Sequence, residues 1–235
     1  MENPLISIPC VITKINQAIA YCVGGKQRPV FFDIAKDYPE LLAIQDNYSI
    51  IKEELEGVLK TDTKIPCFHE IDTTQTFISA NQPNKNWRMF ELYCYGQKPE
   101  ANRRLCPKTC AILDKIPSIQ HAVFSILEPG KSIPFHMGPY MGILRYHLGL
   151  IVPQVNPPYL HVKDKYYTWK EGESVLFDDT WIHQVINDSP SIRVVLFIDV
   201  KRKLPFPMNI MNSLLLKTLA TRYGKSVMEK LDWQH

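Results

Sequence analysis

The sequence predicts a mainly β protein, a sandwich or jelly roll with helices packed around it. Three observations point there. Runs rich in β-branched and aromatic residues are short and recur through the middle of the chain. Turn residues separate these runs. Helical periodicity is confined to the two flanks.

The elements follow in chain order. Val11 to Ala20 reads as a short helix. Tyr48 to Lys60 reads as a longer one, with Ile51, Leu55, Val58 and Leu59 at helical spacing and Glu53, Glu54 and Glu56 between them. Strands are expected at Trp87 to Tyr95, His121 to Leu127, Leu144 to Val152, Tyr159 to Val162, Ser174 to Phe177, Ile182 to Ile186 and Arg193 to Val200. Glu128-Pro129-Gly130-Lys131, Asn156-Pro157-Pro158 and Asn187-Asp188-Ser189-Pro190 punctuate them. A last helix is expected from Pro207 to Tyr223, with Met211, Leu214, Leu215, Thr218 and Leu219 on one face and Gly224 as its stop. No internal repeat or low-complexity linker interrupts the 235 residues. They are therefore read as one domain over 1–235, with a helical part at 1–85, a jelly-roll core at 86–200 and a C-terminal helix at 201–235.

Composition excludes several classes. A hydrophobic fraction of 45% supports a true core, and 22% charged residues argue against wholesale disorder. The net charge is only +3, and its one short basic run, Lys201-Arg202-Lys203, reads as a solvated turn, so no nucleic-acid partner is expected. The six cysteines, Cys10, Cys22, Cys67, Cys94, Cys106 and Cys110, form no CxxC pair. Free thiols in a reducing compartment are expected, not a zinc ribbon. The start, Met1-Glu2-Asn3-Pro4-Leu5, lacks the pattern of a signal peptide. No run reaches the ~20 apolar residues of a membrane span. A soluble, cytoplasmic protein is expected, with contact at the inner face of a membrane left open by the apolar face of the Pro207 to Tyr223 helix and its neighbours Lys217, Arg222 and Lys225.

Four histidines, His69, His121, His161 and His235, sit in no usable pattern. His136 differs, because prolines bracket it in Pro134-Phe135-His136-Met137-Gly138-Pro139 and Gly138 permits close approach. His183 follows Asp178-Asp179, and ten residues later Arg193 opens the apolar run Val194-Val195-Leu196-Phe197-Ile198. A charge there requires a partner, and a guanidinium fork matches a carboxylate. The residues alone admit two readings. One is a non-haem iron site with two histidines, open positions and an arginine for the distal carboxylate of 2-oxoglutarate. The other is a structural β protein with scattered histidines.

Several stretches together resemble the aspartyl/asparaginyl β-hydroxylase family, in its bacterial-type form. They are Gly24-Gly25-Lys26 with Arg28-Pro29-Val30-Phe31-Phe32-Asp33, then Asn86-Trp87. Lys108-Thr109-Cys110 and Phe124-Ser125-Ile126-Leu127-Glu128-Pro129-Gly130 follow. His136-Met137-Gly138-Pro139 is joined by Leu144-Arg145-Tyr146-His147-Leu148-Gly149-Leu150, and Phe177-Asp178-Asp179 runs through His183 to Arg193 and Asp199. The resemblance covers most of the chain. It implies a double-stranded β-helix, a cupin-like jelly roll, and an iron(II)- and 2-oxoglutarate-dependent dioxygenase using O2, with ascorbate as a supporting reductant. On it, His136 and His183 hold iron. Arg193, helped by Ser125, His147 and Trp87, holds 2-oxoglutarate. Arg145 faces an acidic group on the substrate. Arg145 and His147 alternate with Leu144, Tyr146 and Leu148, which puts both on one strand face.

Two positions depart from wider patterns. Most iron oxygenases carry a carboxylate two residues after the first histidine, where this chain has Gly138; the resembled family shares that feature. Asp179 is then expected to hold a water or to orient His183. Iron halogenases also have a residue without a carboxylate there, but the remaining motifs follow the hydroxylases. Animal members carry a second arginine two residues before the substrate arginine, where this chain has Ile143. The implied reaction is hydroxylation of the β-carbon of an aspartyl or asparaginyl residue, in a peptide or a related amino-acid derivative. Hydroxylation of a lipid A acyl chain is the alternative, and a non-catalytic cupin-like binding module the third.

Overall fold

A computed structural model describes residues 10–232, together with all their side chains except those of Leu219 and Asp232. His235 and Met1 to Leu5 lie outside the described residues. Ten strands form two antiparallel sheets. They are β1 (Phe31–Phe32), β2 (Trp87–Cys94), β3 (Ile119–Leu127), β4 (Ile133–His136), β5 (Ile143–Ile151), β6 (Tyr159–Val162), β7 (Lys165–Thr168), β8 (Ser174–Phe177), β9 (His183–Ile186) and β10 (Arg193–Lys201). The larger sheet has the order β1-β8-β5-β10-β3-β2 and the smaller β4-β9-β6-β7. This is the expected jelly roll, mainly β with flanking helices.

The large sheet is buried on both sides, and strand parity sorts its residues. Leu144, Tyr146, Leu148 and Leu150 of β5, with Val194, Leu196, Ile198 and Val200 of β10, face outward into a cluster with Ile51, Leu55 and Val58. That cluster buries the Tyr48–Leu59 helix. The alternate residues face inward. They include Val195 and Phe197 of β10, Val123 and Leu127 of β3, and Trp87 and Met89 of β2, packed with Val162 and Val185 of the small sheet. Polar residues therefore reach the interior only at inward positions, where each needs a partner.

Most expected elements stand within a residue or two of their bounds. The first helix spans Cys10–Cys22. Three strands were not expected, because β1 and β7 are short and β4 contains a proline. Pro134 is tolerated because β4 is an edge strand, needing no donor on its open side. His136 thus closes a strand. The part before residue 86 is also not purely helical, since β1 pairs with β8.

Two further expectations are corrected. Gly224 does not stop the last helix. Helical residues continue through Met208–Leu215, a π-helical Leu216–Ala220 and Thr221–Asp232. A Cβ at Gly224 would lie 2.4 Å from the Cys94 carbonyl oxygen, so the glycine serves close helix-to-strand contact. Lys201-Arg202-Lys203 is not a solvated turn: Arg202 is buried and ion-paired to Asp178 at 2.7 Å. All six cysteines are free, with Cys67, Cys94, Cys106 and Cys110 buried.

Candidate active site

The two histidines singled out in the sequence meet across the β4–β9 pair, where His136 and His183 are register partners. Their ring centroids are 4.0 Å apart. His136 Nδ1 lies 2.8 Å from the Pro134 carbonyl, and His183 Nδ1 lies 2.9 Å from that of Trp181. A carbonyl only accepts, so each Nδ1 carries the proton and each Nε2 keeps its lone pair. Burial holds His136 down to about 4 and drives His183 well below the usual imidazole range. Both rings are therefore neutral near pH 7, the state a metal requires.

Gly138 and Asp179 interlock beside them. The Gly138 N–H donates to the Asp179 carbonyl at 2.8 Å. A Cβ on residue 138 would lie 2.4 Å from Asp179 Oδ2. The Asp179 carboxylate thus fills the space that a side chain at 138 would take. Burial raises the Asp179 carboxyl to about 6, with Arg145 opposing, and its Oδ1 is buried without a hydrogen-bond partner. Its neighbour Asp178 is fixed by Arg28 Nε at 2.8 Å and by Arg202, while its Oδ1 accepts from the Thr180 N–H at 3.0 Å. That turn aims Asp179 and His183 at one place. The sequence motif around Arg28 acts here, through a turn at Gly24 and Gly25 with positive φ.

Deeper in the barrel, Arg193 is 1% exposed and has no carboxylate beside it among the described residues. Its strongest polar contact is a long one, Nη1 to the Ser125 carbonyl at 3.5 Å, and its guanidinium lies 4.6 Å from the centre of the Trp169 ring. Burial lowers it to about 9. Both ring nitrogens of His147 are buried without partners, among Trp169, Phe177 and Phe197. Ser125 Oγ accepts from Trp87 Nε1 at 2.8 Å, which leaves the hydroxyl hydrogen for an acceptor. Arg193, His147, Ser125 and Trp87 therefore share the inward face of the large sheet.

Arg145 also points inward, but not as an isolated cation. Its Nε donates to Asp199 and its Nη2 to Asp179, each at 2.8 Å. Asp199 continues to Tyr95 OH at 2.8 Å and to His121 Nδ1 at 3.6 Å, and His121 Nε2 meets Glu91 at 2.7 Å. Charges alternate along this buried row from Glu91 to Asp179. Burial disfavours the His121 cation, but Glu91 and Cys94 outweigh it and hold the imidazole well above its usual range. Sequence reasoning missed His121 and Glu91. Their signal was a polar residue at an inward position of an otherwise apolar strand. Glu91, Cys94 and His121 also place three donor atoms within 4.8 Å of one another, a second set able to hold a metal. The short His121–Glu91 contact accounts for it as an ion pair.

A cavity of about 480 Å³ opens beside His136. Arg145, Asp179 and Asp199 line it beside Gly138, as do Asp72, Thr74 and Gln75. Its walls are mostly apolar, with Ile12, Phe68, Ile78, Met89, Phe197 and Leu215 among them. Ile143, the position without a second arginine, lines it too.

The fold is the double-stranded β-helix of the cupin-like jelly rolls, and its paired neutral histidines, uncompensated buried arginine and adjoining cavity form the candidate site. The model of the aspartyl/asparaginyl β-hydroxylases matches residues 45–203, and the chain belongs to that family. It is 40% identical over 189 residues to an ornithine lipid ester-linked acyl 2-hydroxylase of Rhizobium tropici, covering 80% of this chain and 66% of the relative. It is 30% identical over 191 residues to the mouse aspartyl/asparaginyl β-hydroxylase, covering 78% of this chain. The chain thus spans just under two thirds of the bacterial relative and 25% of the mouse one. Among solved structures it is similar to a Pseudomonas putida prolyl-4-hydroxylase, at 13% identity and TM-score 0.42, over 69% of this chain and 99% of that one.

Proposed function

We propose that this chain is an iron(II)- and 2-oxoglutarate-dependent hydroxylase acting on a methylene group beside a carbonyl. The observation that carries the reading is Arg193. A guanidinium buried without a carboxylate is too costly to keep unless an anion joins it, and 2-oxoglutarate offers a carboxylate for bidentate pairing. His136 and His183 would hold the metal through Nε2, and the partnerless nitrogens of His147 and the Ser125 hydroxyl would receive the cosubstrate. The lone Oδ1 of Asp179 would accept a hydrogen bond from a water held beside the metal. When bound, iron and 2-oxoglutarate supply the oxidation, with one atom of O2 going to the substrate C–H and the other to succinate as CO2 leaves. The inward apolar walls exclude water from that place, and the Asp178 turn keeps Asp179 and His183 in position.

The two relatives' names describe related chemistry. The β-carbon of an aspartyl side chain adjoins a carboxyl carbon, and the 2-carbon of an ester-linked acyl chain adjoins an ester carbonyl. The cavity favours the second substrate class. Its walls are apolar, Ile143 replaces a cation, and Arg145 is already neutralised by two carboxylates. An arginine so engaged suits a neutral carbonyl better than a further carboxylate. An engineered apolar cavity of about 150 Å³ accepts benzene, so roughly three times that volume admits a long acyl chain. The peptide reading is supported by the family match, with an aspartyl or asparaginyl residue as the second candidate.

The test is mass spectrometry of an ester-linked acyl lipid of an amino acid and of an aspartyl peptide. Each is incubated with protein, iron(II), 2-oxoglutarate and ascorbate. The proposal expects one added oxygen at the 2-carbon of the acyl chain, matched by succinate. Oxygen on the peptide alone would move the substrate to the second class. No succinate with either would overturn the reading.

A further inference from the structure

The helix that walls the cavity carries a second apolar face that nothing among the described residues covers. Leu215 and Leu216 line the cavity. Asn212 is buried, accepting from Tyr140 OH at 2.7 Å and donating to the Gly142 carbonyl at 2.8 Å. Those contacts anchor the Met208–Leu215 helix against the cavity's rim loop. On its other side Ile210 and Leu214, one turn apart on the helix, are 61% and 62% exposed, and Phe206 in the turn before it is 82% exposed. Lys217 follows the helix and is exposed, while Lys203 before it pairs with Glu40 at 3.6 Å. From residue 200 to residue 228 the chain holds six cations and no acidic residue.

A second helix meets the same rim loop. Asn16 of Cys10–Cys22 donates to the Pro139 carbonyl at 2.9 Å and accepts from the Met141 N–H at 2.9 Å. This fixes that helix against the same rim loop. Its Ile12 lines the cavity, while its neighbour Val11 is 62% exposed and Lys14 is exposed. Met137, beside His136, both lines the cavity and reaches solvent. Exposed apolar side chains thus stand near one cavity, with Lys14 and Lys217 exposed beside them.

We infer that this face docks on an anionic lipid bilayer, with Phe206, Ile210, Leu214 and Val11 entering the interface and Lys14 and Lys217 meeting the headgroups. A protein partner would need a matching apolar surface with acidic flanks. A bilayer supplies both features without further shape, and amphipathic helices with basic flanks bind it in this way. The inference rests on the acyl-chain reading for its purpose. An acyl chain lifted from the bilayer would pass from one apolar surface to another. The geometry of the face is independent of that reading.

Vesicle cosedimentation tests it with the full chain. The wild type should sediment with vesicles containing phosphatidylglycerol and about tenfold less with phosphatidylcholine alone. The Ile210→Glu/Leu214→Glu variant should lose at least about tenfold in vesicle binding, with an unchanged thermal midpoint showing that it folds. Lys14→Glu/Lys217→Glu should weaken phosphatidylglycerol binding and reduce its salt dependence. Absence of vesicle binding would overturn the inference, as would equal binding by the Ile210→Glu/Leu214→Glu variant. A wild-type dimer that this variant loses, without vesicle binding, would assign the face to a second copy and overturn it too. The two readings fail separately. Hydroxylation of micelle-dispersed lipid without vesicle binding removes only the docking face. Vesicle binding that needs Ile210 and Leu214, without any hydroxylation, supports the face and removes the function.

Discussion

Arg193 stands at the start of β10 with no carboxylate within ion-pair reach, in a wall otherwise made of Val195, Phe197 and Trp169. Every other buried arginine among the described residues has a carboxylate: Arg28 and Arg202 share Asp178, and Arg145 takes Asp179 and Asp199. Keeping a lone charge buried costs several kcal/mol, so replacing it with an apolar side chain of similar length should relieve the ligand-free protein. Arg193→Met is expected to match or exceed the wild-type thermal midpoint without ligands, yet to lose the stabilisation that added 2-oxoglutarate gives the wild type. Differential scanning fluorimetry with and without the cosubstrate reads both. A variant that still gains as much from 2-oxoglutarate would remove Arg193 from the pocket.

Asp199 makes the opposite case. Burial alone would raise its carboxyl, but Arg145, His121 and Tyr95 outweigh it and hold it down to about 2. A carboxyl depressed in the folded state stabilises fully above its unfolded value near 4, and that contribution is lost as pH falls toward 2. About two pH units correspond to roughly 2 to 3 kcal/mol. Asp199→Asn should therefore cost stability at neutral pH and show a flatter decline between pH 4 and 2 in urea unfolding. An acid limb as steep as the wild type's would mean that the Asp199 pairing contributes little.

At the level of elements, the two faces of β5 were legible because alternation is a local pattern, and the placing of Arg145 with His147 on one face followed from it. That the opposite face packs on the Tyr48–Leu59 helix was not legible, because that contact joins distant parts of the chain. Pairings between distant strands were not legible. Nothing near His121 in the chain announces Glu91 or Asp199, 30 and 78 residues away. Their contact depends on β2 and β10 flanking β3 and on a bulge in β2 between Glu91 and Tyr93. Cys94 beyond the bulge joins the inner cluster for that reason. Gly224 was misread because a glycine near an apparent helix end is ambiguous between a stop and a close approach. The Cys94 carbonyl decides it. Gly224→Ala should destabilise by about 1–3 kcal/mol through forced separation of helix and strand, measured by denaturant unfolding. A neutral or stabilising effect would show that the helix has room to shift.

On the scale of the whole molecule, the large sheet separates two jobs. Its outer face buries helices, and its inner face holds nearly every polar group of the site. We propose that residues 1–235 work as one domain. β1 is paired into the large sheet, and Leu55 shares a cluster with Leu196. The central claim is that the metal belongs between His136 and His183, with 2-oxoglutarate reaching from it to Arg193. The same interior offers a competing donor set in Glu91, Cys94 and His121. Anaerobic calorimetric titration with iron(II), then 2-oxoglutarate, separates the two in His136→Ala/His183→Ala and Cys94→Ala variants. The account predicts that the double histidine variant loses iron(II) binding and, with it, metal-dependent 2-oxoglutarate binding, while Cys94→Ala binds both as the wild type does. Iron(II) binding that survives loss of both histidines and disappears with Cys94 would contradict it.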